Sequence, residues 1–172
     1  MSRKNPEVFS HWYFLMEDFN TSALEFYRSV EQALERRGIP DLKYSRIDCQ
    51  EGGLLSAKRE YLRVKRKQFV FDICGAPFGN GFFVSWWLGE IPSGLAAICY
   101  TLSAIPILGL FFALLLRVIV RPLTYYKMDT ALMFQESVRT AVVEVIDGLR
   151  SEKGLRVLSP VECAPRLKQL AA

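Results

Sequence analysis

Histidine is nearly absent from this chain: His11 is the only one in 172 residues. The four cysteines, Cys49, Cys74, Cys99 and Cys163, stand far apart, with no CxxC pair. A zinc site needs clustered imidazole and thiolate ligands, so this spacing excludes one and reads as isolated buried thiols suited to a reducing compartment. No metal and no cofactor is expected. A phosphate-binding loop is missing as well. Gly75–Gly81 (GAPFGNG) is rich in glycine, but it has neither the Walker lysine nor the GxGxxG order and reads as a turn. The carboxylates Asp48, Asp72 and Glu90 are scattered, and no nucleophile motif accompanies them. The chain is therefore read as a non-enzyme with no catalytic residue assigned.

A strong excess of one charge sign is also lacking. Twenty-two basic residues against 18 acidic ones leave a net charge of +4, which permits contact with anionic lipid without demanding nucleic acid. The first twenty residues, MSRKNPEVFSHWYFLMEDFN, have no continuous apolar core of the secretory type, because His11, Glu17 and Asp18 interrupt it. The first ninety residues are accordingly expected to be made and kept in the cytoplasm.

The most consequential absence is of charge between Glu90 and Arg117. Residues 91–116 read IPSGLAAICYTLSAIPILGLFFALLL, a run of 26. Uncharged runs of roughly 18 or more residues are membrane-span candidates. A helix apolar on every side has no face to offer water and must be buried in protein or lipid. At about 1.5 Å per residue the run reaches roughly 39 Å, enough to cross a hydrocarbon core of about 30 Å. Pro106 interrupts it, removing one backbone donor and kinking or breaking the helix. Three readings follow: a single kinked span, a short hairpin turning near Pro106, or a helix buried in a soluble protein.

Charge around the run divides the first two. Gly75–Glu90 holds no Lys or Arg, while Arg117, Arg121 and Lys127 follow the run, which places the C-terminal flank inside. Yet residues 1–90 carry 13 of the 22 basic residues and look cytoplasmic too. A hairpin reconciles the two flanks, but arms of 12 and 13 residues (94–105 and 107–119) reach only about 18–20 Å, and the tip would need partners for its carbonyls. On that cost the single span stands slightly ahead. Within the run, Gly94, Ala97, Thr101 and Ala104 form a small-residue stripe of the sort that lets membrane helices approach closely.

Around this segment the chain reads as α+β. A helix from Asn20 or Thr21, as N-cap, to about Arg37 would bury Ala23, Tyr27, Val30 and Leu34, with Gly38 and Pro40 ending it. Strand-like stretches follow at Leu42–Cys49, Leu54–Lys65, Phe69–Cys74 and Gly81–Leu88. Short connections imply antiparallel pairing in a three- or four-stranded sheet. The aromatic stretch around Phe9, Trp12, Tyr13, Phe14 and Phe19 fits either a strand or an irregular arm. A long amphipathic helix from roughly Lys127 to Leu149 presents Ala131, Phe134, Val138, Ala141 and Val145, widened by Val142, Ile146 and Leu149. It is expected to pack on the sheet, and Pro165–Ala172 to form a frayed helical end. The organisation is 1–90, an α+β domain; 91–120, a membrane segment; and 121–172, a helix and tail.

Two features suit a bilayer. Trp86 and Trp87 before the run, and Tyr125 and Tyr126 after it, have the character of interfacial anchors. Lys58, Arg59, Arg63, Lys65, Arg66 and Lys67 form the densest basic cluster, able to meet anionic headgroups or the phosphates of nucleic acid, for which no RNA-binding pattern speaks; the bland alternative is a solvated hairpin end whose lysines blunt an edge strand. The expected role is that of a membrane-associated structural or accessory protein, self-associating or joining a larger membrane complex, with lipid as partner. A membrane-acting effector with a soluble sensing domain and a soluble oligomer burying the apolar helix are the alternatives.

Overall fold

A computed structural model describes residues 6–50, 58–91 and 124–167. Its framework is an antiparallel sheet built from β1 (Glu7–Met16), β2 (Lys43–Gln50), β3 (Lys58–Arg66), β4 (Phe69–Phe78) and β5 (Gly81–Glu90), with two residues, β6 (Arg166–Leu167), at one edge. The strand order is β2-β3-β4-β5-β1-β6. Two helices, α1 (Ala23–Arg36) and α2 (Tyr125–Glu152), complete it. The fold is thus α+β, with five long strands where the sequence suggested three or four. The addition is the aromatic stretch, which forms the ten-residue β1 and pairs with β5 from Glu7↔Glu90 to Met16↔Phe82. Side chains rich in aromatics suit a pleated surface buried on one side.

Strand alternation explains the core. In β3, Leu62 and Val64 are buried; in β4 and β5, Phe71, Ile73, Phe82, Val84 and Trp86 project to the same side. The helices cover that face with α1 residues Phe26, Tyr27, Val30, Ala33 and Leu34, and with α2 residues Ala131, Phe134, Val138, Ala141, Val142, Val145 and Ile146. Phe71 packs tilted on Trp86 at 4.7 Å and meets Phe134 edge-on at 6.2 Å, which joins the sheet to α2. Fully burying a side chain such as Phe71 stabilises by about 1.5–3 kcal/mol. The segments on either side of the apolar run therefore share one core.

Several local expectations change. Helix α1 begins later, with Ser22 as N-cap and no side-chain capping bond there. Gly38 follows its end, at a φ of +60° that suits glycine. Strand β4 runs on through Gly75 to Phe78, because Gly75 pairs with Val84, so the seven-residue turn shrinks to Gly79 and Asn80. The tail is not helical at Arg166–Leu167 but pairs with His11 and Ser10 of β1.

Tyr27 stands where the sheet opens. Pairing of β3 with β4 stops at Leu62↔Ile73. Beyond it the Tyr27 hydroxyl accepts from Gly75 N at 3.0 Å and donates to Glu60 O at 2.8 Å, bridging the two strands. Burial raises its pKa well above the ordinary phenol value. On α2, Gln135 interrupts the apolar stripe and accepts a hydrogen bond from the buried Ser10 hydroxyl.

Among the described residues no helix is long and apolar enough to cross a membrane. The greater part of the expected membrane segment lies outside the described residues, including Gly94, Ala97, Thr101, Ala104 and Pro106.

Candidate membrane interface

The apolar run departs from the C-terminal end of β5 and is followed by α2. The elements that flank it are held together. Lys127 Nζ lies 2.7 Å from Glu90 Oε1, and Ile91 N donates to Gln68 O at 2.8 Å. Gln68 belongs to the tight β3–β4 turn, so the run begins beside that turn. Thr124 caps α2 by accepting from Lys127 N, which sets the helix start next to Glu90.

Register assigns the rest of this end of the sheet. Arg66 pairs with Phe69, which pairs with Glu90, while Lys43 pairs with Lys65 one step in. Lys67 occupies the turn at φ +53°. Arg66 Nε donates to Pro40 O at 3.2 Å, bringing the α1–β2 loop to the same end. Lys43, Lys65, Arg66 and Lys67 therefore lie at the end of the sheet where the run starts, on the β2–β3 side, with Asp41 in the adjoining loop and Glu7 of β1 paired opposite Glu90. Glu90 is neutralised by Lys127.

The six-residue basic cluster of the sequence does not form one patch. Lys58 and Arg59 lie at the opposite end of β3; from Arg59 to Lys65 is about 20 Å at 3.3 Å per residue. Arg63 is engaged in a two-pronged bond to Asp72 on β4, Nε to Oδ1 at 2.7 Å and Nη2 to Oδ2 at 2.6 Å. These hydrogen bonds hold its guanidinium pKa above the ordinary value despite burial. A cation so paired has little left to offer a headgroup.

The aromatic candidates also divide. Trp86 is fully buried against Phe71 and out of reach of any bilayer. Trp87 points to the other face of the sheet, 39% exposed and stacked on His11 at 4.9 Å. Tyr125 and Tyr126 open α2 at 93% and 80% exposure, two residues and one residue before Lys127.

That other, outer face is a feature the sequence reading missed. Tyr13, Leu15, Ala76, Pro77, Phe78, Phe83 and Arg59 line a shallow, largely apolar groove on it. Its signal was present as apolar residues at both parities of β1 and β5, where single-face burial would show clean alternation. On the same face Cys74 is buried beside Tyr61, and burial raises the thiol pKa. Among the described residues, no three His, Cys, Asp or Glu side chains converge as metal ligands.

Compared with protein-family models, curated proteins and solved structures, the chain matches none.

Proposed function

We propose that this protein is a membrane-associated accessory protein, whose α+β domain is held at one face of a bilayer by the apolar segment 91–116. The observation that carries this reading is the meeting of Glu90, which precedes the 26-residue uncharged run, with Lys127, eleven residues after its last residue. It supports departure and return on the same side. A single crossing would put α2 and the sheet on opposite sides of the membrane, yet Phe134 and Phe71 share one core. Same-side return revises the preference for a single span. Two helical arms of about 18–20 Å dip into a core of about 30 Å without crossing it twice. The Gly94, Ala97, Thr101 and Ala104 stripe favours self-association or a place in a larger membrane complex.

Fractionation tests the reading. The full chain should pellet with membranes, resist alkaline extraction, and be released by mild detergent. A variant with 92–116 replaced by a glycine–serine linker should become soluble. Recovery of the unaltered chain without detergent would sink the proposal.

A second reading is a soluble oligomer that buries the run between subunits. The exposed apolar side chains of the outer face, Tyr13, Leu15 and Phe78, favour it, since such surface needs a cover. A detergent-free soluble assembly of defined size is its signature.

A further inference from the structure

The bilayer reading leaves open which part of the domain meets the lipid. The fold narrows the choice, because Ile91, which opens the run, and the start of α2 beyond it lie at one end of the sheet. That end carries Lys43, Lys65, Arg66 and Lys67, with the carboxylates of Asp41 in the adjoining loop, Glu35 near Tyr44 and Asp129 at the start of α2, and with Glu7 paired opposite Glu90. Among the described residues, Lys43, Lys65 and Lys67 form no ion pair, so their charge is not spent inside the protein. Tyr125 and Tyr126 stand exposed where the chain comes back, and amphipathic aromatic rings favour the headgroup level.

Resting on the membrane reading above, we propose that this end of the sheet sits on anionic phospholipid headgroups, with Lys43, Lys65 and Lys67 as the contacting cations and Tyr125 and Tyr126 at the same depth. Arg66 has a second duty, since its bond to Pro40 O ties the α1–β2 loop into place. Lys58 and Arg59, about 20 Å farther along β3, lie beyond the roughly 8 Å over which physiological salt leaves a surface charge effective. They take no part. The proposal therefore separates two halves of one basic sequence cluster by their distance from the bilayer.

Each lysine near an anionic surface strengthens binding about five-fold, so three together account for about 100-fold. The full chain is synthesised in the presence of vesicles of phosphatidylcholine alone, or of phosphatidylcholine mixed with phosphatidylglycerol, and recovered by flotation. The triple variant Lys43→Gln/Lys65→Gln/Lys67→Gln should lose the preference for the mixed vesicles. The pair Lys58→Gln/Arg59→Gln should keep it. The single variant Lys67→Gly removes one charge while easing a left-handed backbone position, so its partial loss cannot be attributed to misfolding. Equal loss in the triple and the far-end pair, or an unchanged triple, overturns the inference. Binding of the full chain to both vesicle types without preference also overturns it but leaves the membrane reading standing. Failure to float with either type removes both.

Discussion

Glu90, the last residue of β5, and Lys127, in the first turn of α2, meet at 2.7 Å and hold together the two elements that flank the apolar run. Both side chains are mostly screened from water, at 19% and 24% exposure. Partial burial leaves the pair less screened by salt than a free surface one, whose median worth is about 0–1 kcal/mol, but also imposes the desolvation of both groups. The pair ties β5 to the start of α2, while the core beneath it supplies the stability.

The first prediction concerns sidedness. Cysteines introduced at the exposed positions Glu17 and Glu152 should react alike with an impermeant maleimide in intact cells, measured above the background of the parent chain. They belong to one folded body. Labelling at one position with protection at the other would contradict the shared core.

Tyr27 supplies a stability prediction. Tyr27→Phe keeps the ring beside Phe26 and the Arg46 guanidinium but leaves the buried Gly75 N–H without an acceptor. An unsatisfied buried group costs about 1–3 kcal/mol, and the urea midpoint should fall accordingly. Gly75→Ala should be comparably harmful for another reason: its Cβ would stand 2.6 Å from Phe26 Cδ1, and overpacking costs about 1–3 kcal/mol. A neutral Gly75→Ala would mean that the helix sits farther from the sheet.

For Arg63 and Asp72 the expected result is strong non-additivity. Asp72→Asn strands a half-buried guanidinium and should cost about 3 kcal/mol, whereas Arg63→Met with Asp72→Leu removes both charges and should cost far less. A double-mutant cycle from denaturant melts measures the coupling. Additive effects would indicate a solvated, loosely held pair.

Acid should loosen the C-terminal loop. Glu162 accepts from Arg156, from Ser159 N and from the Ser159 hydroxyl, and these bonds hold its carboxyl far below the usual range. Its own carbonyl accepts from Trp12 Nε1, which docks the loop on β1. A depressed folded pKa means that the contribution is complete above the unfolded value near 4.5 and is lost as pH falls toward the folded one. Glu136 and Glu144 are lowered by their arginine partners and act in the same direction. Hydrogen exchange of residues 156–163 should accelerate as pH falls below about 4.5, after correction for intrinsic rates. Glu162→Gln should be faster at neutral pH and show a flatter acid response; identical profiles would deny the loop its carboxylate anchor.

Much of this was legible in the chain because it depends on local periodicity. The α2 stripe from Ala131 to Ile146 is buried as its spacing implied, since 3.6-residue recurrence leaves a helix one face to hide. The strands β2 to β5 were visible within a few residues, because β-branched and aromatic runs between turn residues have few other uses. Composition likewise disclosed the uncharged run. Other features depended on partners distant in sequence. Whether residues 7–16 form a strand turned on β5, which lies some seventy positions away. Gly75 looked like a turn residue until Val84 paired with it and Phe26 filled the space its missing side chain leaves. Six neighbouring cations read as one patch, because sequence proximity ignores both the alternation of a strand and its length. Tertiary structure separated them, spending Arg63 on Asp72 and sending Lys58 and Arg59 to the far end. It also brought Glu90 to Lys127, a juxtaposition no periodicity encodes, because a chain closes such a loop only when a common core holds both of its ends.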